Sequence, residues 1–99
     1  MLLFEWDPLK ARSNHKKHGI AFEEAMQVFE DPSAYFEQDF SEEREVRWLA
    51  IGLAGGAIVL LVVHTVREEG QDEAIRLISA RRATRKERQK YGETSAQDA

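Results

Sequence analysis

Cysteine is absent from the 99-residue chain. Its absence excludes disulfide bonds, zinc sites built on thiolates and cysteine nucleophiles, and it is compatible with a reducing compartment. Proline is scarce, with two residues, and there are six glycines against 42% apolar residues. This composition is typical of a globular protein, and the length suits one domain with a single modest core.

Long hydrophobic runs are also missing. The longest covers residues 57–63, whereas about 20 apolar residues are needed to span a bilayer. The first ten residues contain neither the basic leader nor the cleavage-site pattern of an export signal. The sequence therefore predicts a soluble, cytoplasmic protein that does not enter a membrane.

Two long stretches of the chain have almost no charges of one sign: one has few cations and the other has few acids, although the formal net charge is only -4. Residues 23–45 contain nine acids and one cation, whereas residues 76–90 contain seven cations and one acid. Two interpretations stay open. The blocks could create separate electrostatic fields, of which the basic one collects polyanions. They could instead pair with each other across the fold, which requires no function.

Capping signals predict three helices. Asp7 accepts from the first amides of one helix, and Gly19 ends it in the left-handed conformation that glycine favours. The next helix follows from apolar residues at three- and four-residue spacing. Thr84 and Glu87 form a capping box at the start of the last helix. The predicted helices cover residues 8–18, 22–30 and 84–92.

Strand-like runs complete the predicted fold. A short strand at residues 2–6 precedes the helices, and four runs follow them: residues 33–40, 46–54, 57–67 and 73–81. Short connections such as Gly55-Gly56 force antiparallel neighbours. We therefore expect an α+β domain with a four-stranded antiparallel sheet and helices packed on one side. This domain spans residues 1–92, and residues 93–99 are a polar, flexible tail.

The histidines give little reason to expect a metal. His15 and His18 lie three residues apart on one predicted helix, so they could form a pair of ligands. No carboxylate lies in the same turn and no familiar ligand signature is present. His18 also immediately precedes Gly19, where the helix dipole favours a cationic ring. We expect no metal and no cofactor.

His64 is more informative because of the residues near it. It follows the most apolar strand, and Arg67 closes the same strand, while Arg76 and Arg81 lie on the next one. A hairpin would bring the imidazole within reach of these arginines. Such a group suits cleavage of a phosphodiester without a metal, because the reaction needs proton transfer and fixed cations. Tyr91 could stack a base or donate a proton, or it could simply pack against the sheet.

The chain resembles the BrnT-type toxins of the RelE-like ribonuclease superfamily in residues 4–32, 62–67 and 75–91. These segments read FEWDPLKARSNHKKHGIAFEEAMQVFEDP, VVHTVR and IRLISARRATRKERQKY. The resemblance implies a RelE-like α+β toxin of a type II toxin-antitoxin system that cleaves RNA and blocks translation. It also implies a cognate ribbon-helix-helix antitoxin, and the toxin would contact DNA only through this antitoxin. Within the complex, the antitoxin would bridge two copies of the toxin into a homodimer.

The resemblance also suggests roles for individual residues. The family pattern falls on His64 as the proton-transfer group, Arg76 and Arg81 as phosphate clamps and Lys17 as a supporting cation. Glu87 would be structural through its capping box. The RNA backbone would be followed by Arg67, Arg82, Arg85 and Arg88, with Tyr91 beside them; the pattern also includes His18 and Ser79.

Two other functions remain possible from the sequence. A non-catalytic module of the same fold would act only in an antitoxin complex, with the acidic stretch as its docking face. Direct DNA binding by the last helix is less attractive, because its cations spread around the helix and no helix-turn-helix precedes it.

Overall fold

The computed structural model describes residues 1–41 and 43–98, without the side chains of residues 93–98. The chain begins with one strand, continues with three short helical segments and four strands, and ends with the last helix. The elements are β1 (Leu2–Glu5), α1 (Pro8–His18), α2 (Phe22–Ala25), a 3₁₀ helix (Met26–Glu30), β2 (Tyr35–Asp39), β3 (Arg47–Ala54), β4 (Ile58–Glu69), β5 (Asp72–Arg82) and α3 (Arg85–Asp98).

The strands form one five-stranded mixed sheet in the order β1-β5-β4-β3-β2. Strands β2 to β5 are antiparallel neighbours, as predicted, but β1 pairs parallel with β5 through Leu2–Glu5 opposite Glu73–Arg76. The predicted four-stranded antiparallel sheet is therefore wrong. The short alternation of β1 indicates a strand but carries no information about a partner some 70 residues away in the chain.

Helices cover both faces of the sheet, and not one side as predicted. We call the face under α1, α2 and the 3₁₀ helix the helical face. Its core joins Phe22 and Val28 to Leu60, Val62 and Leu77. The opposite face, the α3 face, is covered only in part, where α3 lies over β2 and β3. The smaller core of the α3 face contains Ile51, Leu61 and Ala83 with Tyr35, Val59 and Tyr91 around them.

The second predicted helix is divided into the single turn of α2 and the 3₁₀ helix. The tighter helix brings Val28 against the backbone of β3: a Cβ added to Gly52 would lie 2.9 Å from Val28 Cγ1. Asp31, which ends the 3₁₀ helix, accepts a 2.9 Å hydrogen bond from the Leu53 amide. This segment is therefore shaped by tertiary contact with β3 rather than by helix propensity.

The predicted caps and turns are confirmed. Asp7 accepts from the Leu9 amide at 2.9 Å, and Gly19 has φ 72° at the end of α1. Thr84 and Glu87 exchange the two hydrogen bonds of the capping box, of 2.8 and 3.3 Å. Helix α3 continues past residue 92, where its end was predicted. The side chains of the expected tail, residues 93–99, lie outside the described residues.

A buried asparagine ties α1 to the edge of β5 beyond the end of β1. The Asn14 Oδ1 atom accepts from the Ala80 amide at 3.0 Å, and Nδ2 donates to the carbonyl oxygens of Ala80 and Ile20 at 2.9 and 3.0 Å. The side chain thus replaces a missing neighbouring strand. No helix of the described residues combines the length and the hydrophobicity that a membrane crossing needs.

Candidate active site

An arginine cluster lies on the α3 face, where the arginines Arg47, Arg67 and Arg76 come from three adjacent strands. Trp48 pairs with His64, and Thr65 pairs with Arg76, so Arg47, Thr65 and Arg76 follow one another across the sheet. Arg67 lies one side-chain position further along the same face of β4. The strands therefore present three guanidinium groups on one sheet surface.

Glu45 lies between two of these arginines. Its Oε2 atom is 3.6 Å from Arg47 Nε, and its Oε1 atom is 3.8 Å from Arg76 Nη1. Both distances exceed that of a hydrogen bond. The Arg47 Nε atom is buried and has no hydrogen-bond acceptor among the described residues. Two guanidinium groups thus point at one loosely held anion and keep unused donors.

Arg67 is held by two carboxylates at the end of the cluster. Its Nη1 atom donates to Glu5 Oε1 at 2.7 Å, and Nη2 donates to Glu69 Oε1 at 2.6 Å. The hydrogen bond from Arg67 lowers the pKa of Glu5, and the charges of Arg67 and Arg76 act in the same direction. The same two carboxylates raise the pKa of Arg67. Glu5 therefore stays ionised beside the cluster.

Arg81 does not join this cluster but fastens α3 to the sheet. Its two terminal nitrogens donate to the two oxygens of Glu87 at 2.8 and 2.9 Å. This bidentate hydrogen bond, together with the Thr84 amide, lowers the pKa of Glu87 to about 2. A phosphate would have to displace Glu87 in order to use Arg81.

A second cationic feature, the edge cleft, lies where α1 meets the edge of β5. It has a volume of about 280 Å³ and is lined by Lys10, Lys17, His18 and Ser79, among others. Ser79 and Ile78 lie opposite Val63 at a shift in the β4–β5 register. Such bulges turn side chains away from the regular alternation. The structure thus brings together Lys17, His18 and Ser79 from segments 60 residues apart.

His64 does not lie with the arginines, because the alternation along β4 and β5 directs it to the helical face. The ring is 2% exposed and packs edge-on against Phe29 at a centroid distance of 4.8 Å. Burial lowers its pKa, while the hydrogen bond to the Val62 carbonyl acts weakly in the other direction. The interpretation that the hairpin brings His64 within reach of Arg76 and Arg81 is therefore wrong.

The remaining predicted residues fall into two groups. Arg82 and Arg85 are exposed and have no ion-pair partner among the described residues. Arg88 donates to the Ala83 carbonyl at 3.0 Å, and the half-buried Tyr91 donates to Asp31 at 2.7 Å.

The acidic stretch and the basic block pair with each other at two places among the described residues. Lys90 lies 3.0 Å from Glu37, and Arg76 lies 3.8 Å from Glu45. Both interpretations of the charge blocks thus hold in part, since some cations pair with the acidic stretch and others face solvent.

Sequence reasoning missed Arg47, Glu45 and Glu5. Glu45 ends the acidic stretch and Arg47 lies two residues after it, so neither belongs to the basic block that attracts attention. The available signal was the start of β3, where polar residues at 45 and 47 alternate with Val46 and Trp48. No group of three or more potential metal ligands occurs among the residues that the structure describes.

Comparison with known proteins gives two findings. A family model described as "Ribonuclease toxin, BrnT, of type II toxin-antitoxin system" matches residues 6–87. The crystal structure of the Brucella abortus ribonuclease toxin BrnT is similar, with a TM-score of 0.61 and 30% sequence identity over 86% of this chain and 99% of that chain. No curated protein sequence compared with the chain matches it.

Proposed function

Since the chain belongs to the BrnT family of ribonuclease toxins of type II toxin-antitoxin systems, we propose that it is an endoribonuclease that cuts RNA without a metal ion. Cutting RNA inhibits translation, and a cognate ribbon-helix-helix antitoxin neutralises the chain. The antitoxin bridges two copies of the chain into a homodimer and binds DNA on behalf of the complex. One observation supports the chemistry: Arg47 and Arg76 converge on a single carboxylate on the less covered face of the sheet.

The arginine cluster suits an RNA phosphate. A phosphate that takes the place of the Glu45 carboxylate would accept from the unused Nε donor of Arg47 and from Arg76. Guanidinium groups remain charged and bind phosphate through planar, paired donors. In the transition state the phosphate gains negative charge, and fixed cations stabilise that charge more than they stabilise the bound substrate.

Glu45 is then a group at the phosphate that can accept a proton. Once displaced from between the arginines, its carboxylate lies beside the bound phosphate and takes the proton of the 2′-hydroxyl. The 2′-oxygen forms a bond to phosphorus and the bond to the 5′-oxygen breaks. The departing oxygen takes a proton from solvent. The products are a 2′,3′-cyclic phosphate and a 5′-hydroxyl, and no metal takes part.

Other cations bind the RNA outside the arginine cluster. Lys17 and His18 in the edge cleft bind a neighbouring phosphate, and the exposed Arg82 and Arg85 follow the backbone. Arg81 acts by positioning α3 through Glu87. His64 has no part in the chemistry, because it lies on the opposite face of the sheet from the arginine cluster.

The reaction class is tested with the purified, partner-free chain in excess EDTA. An RNA oligonucleotide is expected to be cut to products that carry a 2′,3′-cyclic phosphate, identified by mass spectrometry. An oligonucleotide with one 2′-deoxy nucleotide at the cut position is expected to resist at that position, because the attacking oxygen is missing.

Two results would count against the proposal. Cleavage that stops in EDTA would show that a metal takes part. If neither free RNA nor RNA on translating ribosomes is cut, the chain is instead the non-catalytic module that acts only in the antitoxin complex. The Arg76→Ala variant, purified in the same way and expected to cut far more slowly, controls for a contaminating nuclease.

A further inference from the structure

An apolar cleft of about 300 Å³ opens on the helical face, beside Phe29 of the 3₁₀ helix. All five strands and the 3₁₀ helix line it, with Leu2 from β1, Phe36 from β2, Trp48 from β3 and Val66 from β4 among its apolar side chains. Leu2, Phe36 and Val66 are 40%, 48% and 40% exposed. Three large apolar side chains therefore meet solvent around one concave surface, an arrangement that favours an interaction site.

His64 forms the floor of this cleft. The side chain is 98% buried, since only 2% of the residue is exposed. Its Nδ1 atom donates to the Val62 carbonyl at 3.2 Å, which leaves Nε2 as an acceptor. No described residue donates to Nε2. Nε2 is therefore a free hydrogen-bond acceptor at the base of the apolar cleft, available to a donor that enters the cleft.

Two carboxylates stand at one end of the cleft. Glu73 lines it, and Glu68 lies directly opposite Glu73 in the β4–β5 pair, on the same face as Val66. Like charges directly opposite each other destabilise an antiparallel pair. Neither carboxylate has an ion-pair partner among the described residues. The rim is therefore complementary to a cation that the chain itself does not provide.

These features distinguish between the possible occupants. RNA is disfavoured, because its phosphates would meet Glu68 and Glu73 while the arginine cluster lies on the other face of the sheet. A second copy of the chain could supply a cation to the rim only from a surface other than its own cleft. Such a head-to-tail contact joins two different surfaces and does not close into a two-fold dimer. A protein segment with an apolar side chain next to a lysine or arginine satisfies the cleft, the ring nitrogen and the rim together.

We propose that this cleft docks a segment of the antitoxin, which inserts an apolar side chain between Phe36, Trp48 and Val66. The same segment donates a hydrogen bond to His64 Nε2 and places a lysine or arginine against Glu68 and Glu73. The identity of the partner rests on the proposed function, whereas its required chemistry follows from the cleft. Because the cleft and the arginine cluster lie on opposite faces, mutations can separate antitoxin binding from RNA cleavage.

The test measures affinity for the purified antitoxin and the rate of RNA cleavage with the same variants. Val66→Glu puts a charge into the cleft, and Glu73→Lys reverses the rim. Each variant is expected to weaken antitoxin binding by about tenfold or more, because buried anchors and complementary charges dominate such interfaces. The cleavage rate of each is expected to stay within about twofold of the unmodified chain, since neither residue touches the arginine cluster.

Matched controls change the same residue types elsewhere. Leu9→Glu alters another exposed apolar residue, on α1, and Glu23→Lys reverses an exposed acid on α2. Both are expected to bind the antitoxin as the unmodified chain does. Because Val66 and Glu73 are exposed, thermal unfolding is expected to confirm that their variants fold.

Several outcomes would overturn the docking site. The antitoxin could fail to bind the unmodified chain, the cleft variants could bind like the controls, or the cleft variants could lose affinity for RNA instead. Failure of the proposed function is seen separately, as an unmodified chain that cuts no RNA while the cleft variants still lose antitoxin binding.

Discussion

Replacement of Arg76 by alanine is expected to lower the rate of RNA cleavage by about 100-fold or more, the loss typical of removing one donor that stabilises transition-state charge. Arg76 is half exposed beside Glu45 on the α3 face, so the change creates no cavity in the core and the fold is expected to persist. Arg76→Lys should recover only part of the activity, because an ammonium group lacks the planar pair of donors. The initial rate on a labelled oligonucleotide measures both effects.

Glu45→Gln distinguishes the two roles assigned to that carboxylate. Loss of a proton acceptor is expected to lower the cleavage rate by about 100-fold or more. Affinity for a 2′-O-methyl RNA, which cannot be cut, is expected to rise, because the competing negative charge between the arginines is gone. Arg12→Ala, an exposed arginine on α1, is the control and should cut normally. If Arg76→Ala cut RNA as fast as Arg12→Ala, Arg76 would not stabilise the transition state, and its assignment would be contradicted.

Asn14→Leu is expected to cause the largest loss of stability, about 2–4 kcal/mol in the free energy of unfolding. Leucine has a similar volume but can make none of the three hydrogen bonds of Asn14. The Ala80 amide and two carbonyl oxygens would then be buried without partners, and each unsatisfied group costs more than an ordinary hydrogen bond contributes. Urea denaturation followed by tryptophan fluorescence measures the change.

Ser13→Ala provides the control for this position, because it alters the exposed neighbour of Asn14 on the same helix. Its unfolding free energy should stay within about 0.5 kcal/mol of the unmodified chain. If Asn14→Leu lost less than about 1 kcal/mol, the asparagine would not be the link that holds α1 to the edge of β5.

The elements of this fold could be read from the sequence because their signals are local. Asp7, Gly19 and the pair Thr84 and Glu87 mark helix ends within a few residues, and the structure confirms each of them. The parallel pairing of β1 with β5 and the position of α3 on the second face depend on contacts between distant segments. No short pattern encodes such contacts, so these features were missed.

The candidate site shows the same limit at the level of side chains. Sequence reasoning identified Arg76 and Lys17, which reach the α3 face and the edge cleft. It grouped His64 with Arg76 because both lie near one hairpin. In a strand, however, a single position decides the face, and the bulge opposite Val63 shifts the register there. Glu45 was missed because one acid among nine carries no distinctive signal.

The most direct test of the account compares RNA cleavage by two variants, Arg47→Ala and His64→Phe, in excess EDTA. Arg47 contributes the unused donor of the arginine cluster, whereas phenylalanine fits the aromatic surroundings of His64 without a titratable group. We expect Arg47→Ala to lose about 100-fold or more of the cleavage rate and His64→Phe to cut like the unmodified chain. Loss of cleavage in a folded His64→Phe, with normal cleavage by Arg47→Ala, would place the active site on the helical face and contradict the account.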